Sequence, residues 1–145
     1  MGKQDTGVYL LVIKLKSKQR ISAGKLPACV FKPGIYLYSG RAKRSLRGRL
    51  QRHLKKEKKL FWHIDYFLQK AEIKEIWAKY DSFDECQAVS QVKNLIKDAD
   101  FPQIKFGSSD CLCPSHLIYL PEDTNLGLLR KKLSLEKVET SGNQV

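Results

Sequence analysis

The chain of 145 residues is 42% apolar and 10% aromatic. That is enough to bury one core without staples, so disorder is excluded and a single domain over 1–145 is expected. No run reaches the roughly 18 apolar residues of a membrane span and no secretory signal is visible, so a cytoplasmic protein with no membrane partner is expected. Its 27 Lys and Arg against 15 Asp and Glu leave a formal charge of +12, which bears on partners and solubility rather than on fold.

The first element is a central strand over Val8 to Leu15, rich in aliphatic and β-branched residues. Lys16 to Gln19 turns, and Arg20 to Phe31, interrupted by Gly24 and Pro27, reads as an irregular extended excursion. Pro33-Gly34 opens a second strand, Ile35-Tyr36-Leu37-Tyr38. Leu46, Leu50 and Leu54, at spacings of four, draw a narrow apolar stripe on an otherwise basic helix over Arg44 to Lys56. A second helix follows over Leu60 to Ala71, then a strand through Ile73, Ile76, Trp77 and Tyr80. Ser82 or Asp84 caps a helix running through Ala88, Val89, Val92, Leu95 and Ile96. Phe106 to Pro114 is a loop and His116 to Leu120 a last short strand, which places the core at about 6–120. An appended basic helix falls within 123–136, over Asn125 to Leu135, and 137–145 reads as a flexible tail. This order implies an α+β fold, a small, mainly antiparallel sheet flanked by helices.

Charge is concentrated. From Arg41 to Lys59 ten cations face one acid, Glu57, so +9 of the +12 lies in nineteen residues. Such a field attracts a polyanion, and Lys43, Arg44, Arg47, Arg52, Lys55, Lys56, Lys58 and Lys59 are the expected nucleic-acid contacts, with DNA before RNA. Beside this run, Tyr36 and Tyr38 share one strand face, which Tyr9 on an adjacent strand can join. Arg49 and His53, four apart, share one side of their helix. Phosphodiester hydrolysis needs an activated oxygen, stabilised phosphoryl charge and help for the leaving oxygen. A phenol with a reference pKa near ~10 is a poor base; Arg41, Arg49 and a bound cation are expected to lower it. Glu85, near a helix start, suits the macrodipole.

Gly7-Val8-Tyr9, Tyr38-Ser39-Gly40, Arg49, His53 and Glu85, in that order, resemble the GIY-YIG nucleases. The run Pro33 to Ala42, with Leu60 to Tyr66 and Gly107 to Leu117, is similar to one branch of small stand-alone members whose biological role is unassigned. Gly34-Ile35-Tyr36 spells the first motif literally, yet it shares a strand with Tyr38, whereas the family's two tyrosines come from neighbouring strands. Gly7-Val8-Tyr9 is therefore the better first half, and residues 16–33 form an insertion between the halves. The resemblance spans roughly Thr6 to Leu120 and implies a magnesium- or manganese-dependent endonuclease acting on DNA. Carried over, Tyr38 is the general base, directly or through a water, and Tyr9 positions water or phosphate. Arg49 with Arg41 stabilises transition-state charge, His53 orients or shuttles a proton, and Glu85 holds the metal. A role in repair, recombination or defence follows by analogy of fold alone.

Cys111, Cys113 and His116, with Cys29, Cys86 or His63 as a fourth, have donors for zinc. Their spacing is tighter than the usual paired-cysteine knuckle, so buried reduced thiols are expected and zinc is not. His63 and Asp65 face different ways on a helix; one can border the site, but a structural hydrogen bond, or Asp65 pairing with a basic residue, is the plainer reading. Two rival functions remain: a nucleic-acid-binding module that does not cut, and an assembly protein whose basic helix docks an acidic partner.

Overall fold

The computed structural model describes residues 5–80, 85–108 and 113–139. The elements in chain order are β1 (Gly7–Leu15), β2 (Gln19–Ile21), β3 (Cys29–Phe31), β4 (Gly34–Ala42), α1 (Leu46–Leu54), α2 (His63–Leu68), β5 (Glu72–Tyr80), α3 (Glu85–Leu95), β6 (Leu117–Leu120), α4 (Leu126–Lys132) and β7 (Glu136–Val138). Five strands form one sheet in the order β6-β4-β1-β5-β7, and every neighbouring pair is antiparallel. The expected α+β class is the observed one. No helix among the described residues is long and apolar enough to cross a membrane.

The apolar run of β1 is explained by cover on both faces. Tyr9, Leu11, Ile13 and Leu15 point to one side, where Leu46 and Leu50 of α1 and Ile64, Phe67 and Leu68 of α2 pack on them. Val8, Leu10 and Val12 point to the other, against Ala88 and Val92 of α3 and Leu129 of α4. The first layer is stiffened by Phe31, Tyr36, Phe67 and Phe106, which meet edge-on with centroids 5.1 to 6.2 Å apart. Each such pair contributes roughly 0.5–1.5 kcal/mol beyond its buried area.

The insertion 16–33 does not disturb the strand pair that frames the site. β1 and β4 run in unbroken register from Gly7↔Ala42 to Leu15↔Gly34. The excursion folds on itself as the β2–β3 hairpin, seating Ile21 and Phe31 in the core, and is more regular than its Gly and Pro content suggests. The second helix is shorter than expected: the Asp65 carboxylate accepts from the backbone N–H of Phe61 and Trp62 at 2.8 and 2.9 Å, so the chain before His63 is held as a cap rather than a turn of helix. The proposed caps Ser82 and Asp84 lie outside the described residues. Of the flexible tail expected over 137–145, residues 137 and 138 belong to a strand, and 140–145 lie outside the described residues. Ser134, at φ 57°, reverses the chain after α4, and Glu136–Val138 adds β7 to the free edge of β5.

Candidate active site

Strand register places the two tyrosines together. Tyr9 lies opposite Gly40 and Tyr38 opposite Leu11, so both rings project from adjacent strands onto the face covered by α1 and α2. The α1 N-cap Ser45, which accepts from Gly48 N–H at 3.0 Å, starts a helix that presents Arg49 and His53 one turn apart above those rings. Glu85 opens α3 and reaches the same place. Tyr9, Tyr38, Arg41, Arg49 and Glu85 line one cleft of about 490 Å³, with Trp62 and His63 on its other wall. Arg41, Arg49 and Glu85 are shared with a second hollow of about 440 Å³ that continues over Lys43 and Arg44, so a cationic track leads into the cleft.

His53 stands behind Tyr9 and is not part of the cleft wall. The Tyr9 oxygen and His53 Nε2 are 2.7 Å apart, while Nδ1 of His53 is buried with no hydrogen-bond partner among the described residues. Burial, reinforced by the nearby Lys58 charge, pushes His53 down to about 3, so it is neutral across physiological pH. Burial also pushes the Tyr9 phenol up to about 12, against the Arg49 guanidinium, which works the other way. Tyr38 is raised too, by burial first and then by the neighbouring Tyr9 and Asp65. The expected lowering of Tyr38 by its arginines is thus corrected: desolvation outweighs them.

Arg49 donates to the Arg41 carbonyl at 3.0 Å and lies over the Trp62 ring at 4.4 Å. Glu85 is held through its backbone, whose carbonyl accepts from the buried Ser39 hydroxyl at 2.8 Å. Its Oε2 is buried and has no hydrogen-bond partner among the described residues.

The other sequence-predicted residues divide. Arg41, Lys43, Arg44, Arg47, Lys55, Lys56 and Lys59 are exposed, as contacts to an outside partner must be. Two expected contacts are corrected. Arg52 turns inward and makes a bidentate pair with the fully buried Asp65, both bonds 2.9 Å, and its guanidinium also lies over Trp62. Lys58 folds back to donate to the Arg52 and His53 carbonyls at the end of α1. Tyr36 is core, its hydroxyl donating to the Lys32 carbonyl at 2.6 Å, away from the cleft. His63 borders the cleft and its Nδ1 accepts from Gly107 N–H at 2.8 Å.

The reduced-thiol expectation is corrected for two cysteines. Cys86 and Cys113, with Cα atoms 5.7 Å apart, form a disulfide, a separation within the usual range. His116 Nε2 lies 3.4 Å from Cys86 Sγ, and the donor atoms of Cys86, Cys113 and His116 all fall within 4.8 Å of one another. Cys29 is a free thiol and Cys111 lies outside the described residues.

A family model described as Domain of unknown function DUF123 matches residues 8–137. The chain belongs to this family. The DUF123 match runs from β1 into β7 and takes in every residue of the cleft. No curated protein and no solved structure matches the chain.

Gly40, Phe61, Trp62 and Gly107 line this DUF123 cleft and Ser39 holds the Glu85 backbone beside it, yet none of them was given a role from sequence. Gly40 gives Tyr9 its room, since a Cβ there would run into the Tyr9 ring and hydroxyl. Gly107, at φ +73°, backs Tyr38, where a Cβ would meet Cε1 at 2.9 Å. Ser39 fixes the start of α3, and Trp62 receives both Arg49 and Arg52. Glycine and serine adjoining a tyrosine, and an aromatic pair just before a helix, were the available signals.

Proposed function

We propose that this protein is a divalent-metal-dependent endonuclease of the GIY-YIG type, hydrolysing DNA phosphodiester bonds. The observation that carries the reading is the convergence of Tyr9, Tyr38, Arg49 and Glu85, from four separate elements, on one cleft at the end of a cationic track. The order of these residues resembles that of the GIY-YIG motifs, with residues 16–33 inserted between the two tyrosine halves. A bare phosphate-binding face has no need of two buried phenols and a buried carboxylate oxygen between its arginines.

The residues fit a hard cation. Among the described residues the buried Oε2 of Glu85 has no hydrogen-bond partner, which leaves it free to ligate a cation in the cleft, and one carboxylate with water and substrate phosphate is the usual magnesium set. Magnesium, or manganese, held there would neutralise charge on the phosphoryl group.

The protein's own groups supply the rest. Arg49 and Arg41 present N–H donors to the phosphoryl oxygens from a position fixed by Trp62 and the Arg41 carbonyl. Tyr9 takes a proton from the attacking water and passes its own to Nε2 of His53, 2.7 Å away. Neither group ionises alone in so buried a place. The incoming phosphate supplies the negative charge that makes an imidazolium tolerable, which confines proton transfer to the substrate complex. The base role therefore moves from Tyr38 to the Tyr9–His53 couple, and Tyr38 orients the water or phosphate.

The test is a cleavage panel over single-stranded, duplex, flapped and branched DNA, with and without magnesium. Arg49→Ala is expected to reduce turnover far more than Arg47→Ala, whose side chain is exposed on the same helix. Equal losses would favour the binding-module reading.

A further inference from the structure

We propose that Phe61 is a stacking platform for an unpaired nucleobase, so that the preferred substrate carries an unpaired nucleotide beside the bond to be cut. The inference rests on the nuclease reading and deepens it by naming the substrate class.

Phe61 is 75% exposed, the largest exposure among the large hydrophobic side chains of the described residues. It stands on the wall of the cleft that holds Tyr9, Arg49 and Glu85. An exposed aromatic on a loose loop would mean little, but this one is held firmly. Its own N–H donates to Asp65 at 2.8 Å, and the same carboxylate binds Trp62 N–H and the Arg52 fork. Phe61 meets Trp62 edge-on, centroids 5.7 Å apart, and Trp62 is itself covered by Arg49 and Arg52 at 4.4 and 4.3 Å. The same buried acid that caps α2 and pairs with Arg52 thus fixes the Phe61 backbone, while the phenyl ring stays in solvent. Burying such a charge is costly, and the core gains nothing from Phe61.

The chemistry around the ring selects its partner. Lys59 is exposed two residues before it, and Arg41 and Arg49 line the cleft beyond. A ligand that covers Phe61 while satisfying these cations must be flat, apolar on its faces and anionic along its chain. An acidic peptide supplies the charge but no obligatory flat face. A nucleotide strand supplies both, and stacking needs its base out of a duplex, because a paired base shows only its edges.

The experiment uses the full chain carrying Glu85→Gln, so that binding is read without turnover. The probes are two short DNA duplexes, one fully paired and one with 2-aminopurine in a three-nucleotide flap. Stacking on Phe61 predicts quenching of the flap fluorophore and preference for the flapped probe. Phe61→Ala and Phe61→Leu are expected to cut flap affinity about tenfold and to abolish the quench, and Phe61→Tyr to retain both. Equal affinity for the two probes, or full flap binding and quenching by Phe61→Leu, would overturn the proposal, as would failure to bind either probe. Flap binding and quenching without cleavage of any substrate by the unsubstituted chain would sink the nuclease reading alone.

Discussion

The hydroxyl of Tyr9 lies 2.7 Å from Nε2 of His53, and both side chains are buried. The pair is built by secondary structure: β1 supplies the phenol, α1 supplies the imidazole, and Gly40 on β4 leaves room for the Tyr9 ring. If this couple carries the proton, Tyr9→Phe and His53→Gln should each lower the cleavage rate by about 10²- to 10⁴-fold. The two losses should not add in the double variant, since either change breaks the same relay. Single-turnover cleavage assays check this, and multiplicative losses would separate the two roles.

Gly40→Ala should imitate those variants without removing either group. The added methyl collides with the Tyr9 ring and hydroxyl, which must shift from the position that meets His53. Overpacking of this kind costs about 1–3 kcal/mol, so the protein should still fold while activity falls toward that of Tyr9→Phe. Paired thermal melts and cleavage rates test it; an active Gly40→Ala protein would show that Tyr9 needs no fixed place.

His53 also sets a pH dependence of stability. Its folded pKa is pushed down to about 3 from 6.5 by burial and then by Lys58. Between those values the unfolded chain binds the proton and the folded one does not, so this contribution is complete above about 6.5 and is lost as pH falls toward 3. The half-buried His63, also lowered by burial, acts in the same direction. Urea midpoints should therefore decline from pH 7 to pH 5, and decline less in His53→Gln. An identical slope in the variant would contradict the assignment.

Asp65→Asn should cost about 3 kcal/mol, at the low end for breaking a buried ion pair because the Arg52 side chain is 29% exposed. The loss also frees the loop carrying Phe61 and Trp62, so stability and flap recognition should fall together. Denaturant melts with the aminopurine assay measure both.

Patterns confined to one element were legible in the sequence, and pairings across elements were not. The central strand β1 and the apolar stripe of α1 follow from period, because spacing tells which side chains share a face, whereas the choice of Gly7-Val8-Tyr9 over Gly34-Ile35-Tyr36 follows from the resemblance to the GIY-YIG nucleases. The inward turns of Arg52 and Lys58 were hidden, since a basic helix carries no mark of which cation finds a buried acid thirteen residues on. Cys86 and Cys113 lie 27 residues apart and meet only when α3 packs beside the loop before β6. The downward pull on phenol acidity expected from arginines failed for a related reason: charge is visible in a sequence, whereas the depth of burial that opposes it is not.

The most direct measurement is magnesium-dependent nicking of DNA by the full chain beside its Glu85→Gln variant, with binding of the same DNA followed in parallel. A metal-dependent nuclease predicts that the unsubstituted chain nicks only with the cation, and that Glu85→Gln retains the DNA but loses nicking by at least about 10²-fold. Equal nicking by both proteins, or nicking indifferent to the cation, would contradict it.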